Sequence, residues 1–379
     1  MRAVVDENIP YGREAFAEFG EVVTLPGRNM TAADLANADL LLVRSITKVN
    51  RDLLDGTPVK FVATATIGVD HIDEPYLRER GIGFSSAPGC NAMSVADYIT
   101  AALHLVAEKH GLTLSNLSLG VVGVGNVGSK VAAKARALGM RVVVNDPPLA
   151  ERTGDPIYRP IEDIHACEVI TFHVPLEKTG PHATRHLCDA VFLAKLKPGT
   201  ILFNTSRGAV VDNLALNAAL RDAKIRAAVL DVWEGEPNVN AELLSRVDIA
   251  TPHIAGYSFD GKVNGTKQIY EAACRHFGRT PTWDPAPLLP APECPEIHLA
   301  PPYDNAIAQC VSKVYDILGD DARMRATMAL PEAERGPAFD RLRKDYPRRR
   351  EFHNTRVTLS VPDAALTATL RGLGFRAES

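Results

Sequence analysis

The stretch Leu119-Gly-Val-Val-Gly-Val-Gly-Asn-Val-Gly128 decides how the rest of the chain is read. An apolar, β-branched run (Leu117 to Val122) leads into it and a helix-like run (Asn126 to Leu138) leads out. Gly123, Gly125 and Gly128 therefore stand at a strand-to-helix turn. In that context a G-x-G-x-x-G pattern has a mechanism. The first glycine permits the tight turn, and the second lets a pyrophosphate approach the backbone. The third lets helix and strand pack closely, so free helix N–H groups point at the anion. The next strand-like run, Arg141-Val-Val-Val-Asn-Asp146, ends on a carboxylate placed to accept hydrogen bonds from an adenosine ribose. A carboxylate about 4 Å from a 2′-phosphate repels it by about 4 kcal/mol at an effective dielectric of about 20. The expected cofactor is therefore NAD rather than NADP.

Upstream of the turn, short runs (Ala3–Asp6, Asp39–Val43, Lys60–Ala63, Ile82–Phe84) alternate with helix-like segments, the rhythm of a parallel sheet. A long helix is expected over Ser94 to His110, with Ser94 as its cap. Downstream, Arg141–Asp146, Val169–Val174, Thr200–Asn204, Ala227–Val232 and Asp248–Thr251 are continuous apolar runs that suit a sheet covered on both faces. A second long helix, Lys262 to Phe277, leads the chain back toward the first domain. Thr280 to Pro302 is rich in proline and reads as a linker, because proline breaks both helix and sheet ladders. Beyond it come helix, a strand at Arg356–Leu359 and a helix at Asp363–Leu373. The expected fold class is α/β: two Rossmann-like or flavodoxin-like parallel-sheet domains plus a small C-terminal α+β domain. The expected divisions are 1–95 with 256–280, 96–255, and 281–379.

Composition removes several classes of function. With 379 residues and a net charge of −4, the chain carries no field that would draw nucleic acid or an anionic membrane. Its start, Met-Arg-Ala-Val-Val-Asp-Glu-Asn, lacks the apolar core of a signal peptide, and no apolar run approaches a membrane span. Six scattered cysteines form no CxxC pair, so neither a metal site nor a redox motif is expected. They suit free thiols in a reducing cytoplasm.

Four strand-end motifs carry the chemistry: Asn204-Thr-Ser-Arg-Gly208, Asp231-Val-Trp-Glu-Gly-Glu-Pro237, Thr251-Pro-His253 and Ile254-Ala-Gly-Tyr257. In open parallel sheets ligands gather beyond the carboxyl ends of the strands. Arg207, Asp231, Glu236 and His253 are thus expected in one cleft. Taken singly, each has an ordinary structural role, as ion-pair partner, turn cap, loop carboxylate or packed ring. Taken together, in this order after the glycine turn, they resemble the D-isomer-specific 2-hydroxyacid dehydrogenase family.

That family's catalytic set is an Arg–Glu–His trio, which the resemblance places on Arg207, Glu236 and His253. Histidine, with an ordinary pKa near 6.5, can take the hydroxyl proton as hydride leaves C2 for the nicotinamide. Glu236 would hold the imidazole tautomer and stabilise the imidazolium. Arg207 offers a planar cationic fork to the substrate carboxylate and the developing carbonyl oxygen. The resemblance puts cofactor contacts on Gly123, Gly125, Asn126, Val127, Gly128, Asp146, Val174, Ser206, Asp231 and Gly256. At Val174 the family often has threonine, so a side-chain hydrogen bond is not expected there.

Within the family, Ala87-Pro-Gly-Cys-Asn-Ala92, His253-Ile-Ala-Gly-Tyr-Ser258 and Asp345-Tyr-Pro-Arg-Arg-Arg-Glu-Phe352 resemble one subgroup. Its substrate is a small phosphorylated 2-hydroxy acid. The resemblance implies substrate contacts at Ser45, Thr66 and Tyr257 and a homodimer paired through the C-terminal domain, with 1–95 and 256–280 as a lid. Arg44 and Lys48 are both candidates for the phosphate. The run Arg348–Arg350 reads as a solvated or dimer-facing patch. A sister enzyme acting on another phosphorylated acid, such as 3-phosphoglycerate, and a non-catalytic NAD-sensing protein remain as alternatives.

Overall fold

Strands that are apolar along their whole length must be buried on both faces, and alternating helices provide the cover. The structure, a computed structural model, describes residues 1–378. Among these residues three parallel sheets form, distributed over two units: 1–91 with 258–291, and 92–257 with 292–378. No helix among the described residues is long and apolar enough to cross a membrane.

The first unit holds β1 (Arg2–Asp6), β2 (Glu21–Leu25), β3 (Leu40–Val43), β4 (Phe61–Thr64) and β5 (Gly83–Ser85), in the order β2-β1-β3-β4-β5. Every residue of β3 and β4 is buried. The returning helix Phe259–His276 closes one face with Ile269, Tyr270, Ala273 and Cys274. The Tyr270 ring meets Phe16, Phe19 and Trp283 edge-on at 6.0, 6.3 and 5.7 Å. Ser258 caps this helix, its Oγ accepting from Gly261 N at 2.9 Å, so the helix starts earlier than Lys262.

The second unit carries β6 (Ser118–Val122), β7 (Arg141–Asn145), β8 (Val169–Phe172), β9 (Thr200–Asn204), β10 (Ile225–Leu230) and β11 (Ile249–Ala250). Their order is β11-β10-β9-β8-β6-β7. The order reverses between β6 and β8, and the loops after these two strands flank the crevice where such sheets bind ligands. A third sheet, β12 (Glu296–Leu299), β13 (Arg356–Leu359) and β14 (Arg376–Glu378), completes this unit.

Three expectations are corrected. The segment Thr280 to Pro302 is not linker throughout, because β12 lies within it, paired to β13. Ser94 is not a cap: the helix runs Ala92–Lys109, and the buried Ser94 hydroxyl donates to the Ala255 carbonyl at 2.8 Å. Arg348–Arg350 is not a solvated patch either, since Arg349 and Arg350 are each 7% exposed. Arg349 donates to Ser94 Oγ and the Ala255 carbonyl, both at 2.5 Å, and lies 4.2 Å over the Tyr315 ring.

A buried charge pair joins the C-terminal segment to helices that cover the six-stranded sheet. Lys134, on the helix Asn126–Ala137, donates to Asp97 Oδ1 at 2.5 Å and also to the Leu373 carbonyl. Asp97 Oδ2 in turn accepts from Phe352 N at 3.0 Å. Removing one partner of such a pair strands the other charge in a dry place, at a cost of about 3–5 kcal/mol. Lys134→Met is therefore expected to lower the unfolding free energy by about that amount in urea titrations. A midpoint equal to the parent's would show that the pair contributes nothing.

Candidate active site

The glycine turn is built by contact. At Gly123, φ is +85°, and a Cβ would lie 2.8 Å from the His173 carbonyl carbon and from Val174 Cγ1. A Cβ on Gly128 would lie 1.9 Å from the Gly123 oxygen, so the helix could not approach the turn with any larger residue. Gly125 differs, because a Cβ there would meet no protein atom within 4 Å. Its bareness fits a ligand rather than the fold. No side chain caps the helix that begins at Asn126, so its first N–H groups remain available to an anion.

Asp146 braces the same turn. Its Oδ2 accepts from Val124 N at 2.8 Å and its Oδ1 from Leu149 N at 3.0 Å, capping the helix Pro147–Thr153. A carboxylate has about four acceptor positions, so capacity for ribose hydroxyls remains. These features together fit NAD. Val174 stands beside the turn with its side chain half-buried, whereas the Ser206 hydroxyl is spent inside the protein, donating to Asn204 Oδ1 at 2.9 Å.

The catalytic candidates sit beyond β9, β10 and β11. Asp231 follows β10 and is 1% exposed. Its carboxylate accepts from Thr251 Oγ1 (2.6 Å), Ile254 N (2.7 Å) and Ala255 N (2.9 Å), while its carbonyl accepts from His253 N (2.7 Å). The loop Thr251–Ala255 is thereby pinned, with His253 at φ +58°. Left-handed backbone at a non-glycine residue costs about 1–3 kcal/mol and persists only where its surroundings enforce it. Burial pushes the Asp231 carboxyl up, against the opposing pull of His253, Thr251 and the two N–H groups.

His253 Nδ1 lies 2.9 Å from Glu236 Oε2, and Glu236 Oε1 accepts from Trp233 N at 2.7 Å. Burial would raise the Glu236 carboxyl, but His253, the Trp233 N–H and the positive charge of Arg343 outweigh it and hold it below its ordinary value. An ionised carboxylate only accepts, so in the neutral ring the proton belongs on Nδ1 and Nε2 is left as the base.

Arg207 arrives by a different device. A Cβ on Gly208 would lie 2.0 Å from the Trp233 carbonyl carbon, so this turn touches the Asp231–Glu236 loop backbone to backbone. Asn204 Nδ2 donates to the Arg207 carbonyl at 2.9 Å, and the half-buried guanidinium donates to the Ser206 carbonyl at 2.9 Å.

Arg207, Asp231, Glu236, His253, Gly256 and Tyr257 share the second unit, while Ser45 and Thr66 belong to the first. Ser45 is exposed in the loop after β3. Thr66 follows β4, its Oγ1 donating to the Gly68 carbonyl at 3.0 Å. The sequence reading missed Arg343, whose Nη2 donates to the Tyr257 hydroxyl at 3.0 Å. Its neighbourhood, Asp340-Arg-Leu-Arg-Lys344, reads like any solvated helix face, so no local signal marks it.

Comparison with known proteins shows what the whole chain is similar to. The family model for the NAD binding domain of D-isomer specific 2-hydroxyacid dehydrogenases matches residues 93–255, and residues 288–374 match a family described as a domain of unknown function. The chain is 48% identical over 379 residues to erythronate-4-phosphate dehydrogenase of Cronobacter sakazakii, covering 100% of this chain and 98% of that protein. The protein of the same name from Escherichia coli O9:H4 is 47% identical over 380 residues, with the same coverage of 100% and 98%. Among solved structures, NAD-bound 3-phosphoglycerate dehydrogenase of Entamoeba histolytica aligns with 73% of this chain and 95% of its own, at 26% identity and a TM-score of 0.63.

Asp146→Asn keeps an oxygen for capping and removes the charge expected to repel a 2′-phosphate. The ratio of kcat/KM with NADP to kcat/KM with NAD is expected to rise about tenfold or more, a conservative share of the pairwise repulsion. An unchanged ratio would show that Asp146 does not select the cofactor.

Proposed function

The chain belongs to the D-isomer specific 2-hydroxyacid dehydrogenase family and is an NAD-dependent oxidoreductase; on that premise we propose that it oxidises 4-phospho-D-erythronate at C2 to (R)-3-hydroxy-2-oxo-4-phosphobutanoate, a step toward pyridoxal 5′-phosphate. The observation that carries this reading is the 2.9 Å contact of His253 with Glu236, in a chain that matches relatives of the corresponding name over its full length.

His253 Nε2 accepts the C2 hydroxyl proton as the C2–H bonding pair departs as hydride. NAD, when bound, supplies the acceptor for that hydride. Glu236 holds the ring through Nδ1 and offsets the positive charge that develops on it. Arg207 takes the substrate carboxylate and the forming carbonyl oxygen in its fork, a contribution of the kind whose loss costs about 3–4 kcal/mol of transition-state stabilisation. Ser45, Thr66 and Tyr257 are assigned to the substrate. Gly123, Gly125, Asn126, Val127, Gly128, Asp146 and the main chain at Val174 and Ser206 are assigned to the cofactor. Asp231 serves the nicotinamide end through the loop it pins, which also carries Gly256. The protein is assigned to the cytoplasm, as a homodimer paired through residues 281–379.

The test is NADH formation from NAD and 4-phospho-D-erythronate, with a parallel assay that follows reduction of an added 2-oxo acid. His253→Ala is expected to lower kcat by about 10²–10⁴-fold, the range for loss of a general base. 3-Phosphoglycerate is expected to give no turnover. Folded, NAD-binding protein that turns over in neither format would overturn the assignment.

A further inference from the structure

The helix Glu332–Lys344 belongs to the C-terminal segment, yet it lies against the loop that carries Glu236. Gly336 makes the approach possible: a Cβ there would come within 2.8 Å of Asn238 Oδ1 and 3.4 Å of Pro237 Cγ. About two turns further along the same helix face is Arg343. Its side chain is 20% exposed, and its guanidinium carbon lies 5.8 Å from the Tyr257 ring centre and 6.0 Å from that of Phe339.

The donors of this guanidinium are largely unspent. Nη2 donates to the Tyr257 hydroxyl at 3.0 Å, which is its one side-chain hydrogen bond among the described residues. Nε is buried without a hydrogen-bond partner. The nearest carboxylate, Asp340, stands at 3.9 Å, beyond hydrogen-bond reach. Glu236 acts on the cation through its field, but both of its oxygens are engaged by His253 and Trp233. Arg349 differs in being 7% exposed: its Nη2 is shared between Ser94 and Ala255, and its Nη1, buried without a hydrogen-bond partner, faces the protein interior. A half-buried guanidinium with five N–H groups and one hydrogen-bond partner is a ready receptor for a planar or tetrahedral anion.

We propose that Arg343, together with the Tyr257 hydroxyl it holds, is the specificity-determining residue for the substrate's phosphoryl group. This rests on the reaction proposed above, in which Arg207 takes the carboxylate at the opposite end of the four-carbon acid. The C-terminal segment then supplies part of the substrate site within its own chain.

Arg343→Met and Arg343→Lys in the full-length enzyme, assayed with 4-phospho-D-erythronate and with D-erythronate, decide the matter. The ratio of kcat/KM for the phosphorylated over the unphosphorylated acid is expected to fall about ten- to hundredfold in Arg343→Met, the span for a charge-assisted hydrogen bond. Arg343→Lys, a point charge in place of a fork, is expected to recover part of it and carries the test should the methionine variant not fold. Parallel losses on both acids, leaving the ratio unchanged, would reduce Arg343 to a prop for Tyr257 and overturn the proposal. Calorimetric binding of inorganic phosphate to the NAD-loaded enzyme separates the two readings. If wild type fails to oxidise 4-phospho-D-erythronate, the reaction is wrong, while phosphate binding weakened in Arg343→Met still supports the anion site. Phosphate binding unaffected by the substitution removes it.

Discussion

The carboxylate of Asp231 accepts three hydrogen bonds in a place that water does not reach, and the position of His253 follows from them. Two of the donors are consecutive main-chain N–H groups just after the histidine, so the loop cannot shift without orphaning them. The third, Thr251, is itself supported: its hydroxyl receives the Tyr98 hydroxyl at 2.8 Å, and its carbonyl receives the Trp233 indole at 2.9 Å. Two carboxylates thus serve one imidazole. Asp231 fixes the backbone that presents the ring, and Glu236 addresses the ring itself. Their surroundings press their pKa values in opposite directions, upward at Asp231, where burial dominates, and downward at Glu236, where His253, the Trp233 N–H and Arg343 outweigh burial.

The nucleotide side is organised by the same economy. Gly123 and Gly128 are forced to be glycine by protein atoms, and Gly125 is not. Asp146 holds the turn and caps the next helix with the same carboxylate that we assign to the ribose. Each functional side chain here also has a structural task. Substitutions at the site therefore change geometry as well as chemistry, and charge-only replacements are the informative ones.

What was legible in the sequence is what local chemistry determines. The strand Thr200–Asn204 was read at its true bounds because its apolar centre, Ile-Leu-Phe, has few alternatives, and Arg356–Leu359 because β-branched Val357 and Thr358 alternate in and out. The glycine turn was legible, and so was the nearness of His253 to Glu236, 2.9 Å apart, because their residue types are tied to one kind of chemistry. β12 was hidden: Glu296-Ile-His-Leu299 is short, alternating and surrounded by proline, and only pairing with β13 makes it a strand. Ser94, Arg349 and Arg343 were misread or passed over for a related reason. A serine near a helix start suggests a cap, and an arginine among charges suggests solvent. Their partners, Ala255 and Tyr257, are remote in sequence.

The buried seam between Lys134, Asp97, Phe352 and Leu373 bears on how the polypeptide matures during synthesis. The glycine turn and the histidine loop leave the ribosome long before residues 292–379 do. Until that tail arrives, the Ala255 carbonyl lacks its arginine, Asp97 lacks the Phe352 N–H, and the loop after Glu236 lacks the helix at its back. The turn that carries Ala255 and the loop that carries Glu236 therefore reach the packing described here only once residues 292–378 have joined them.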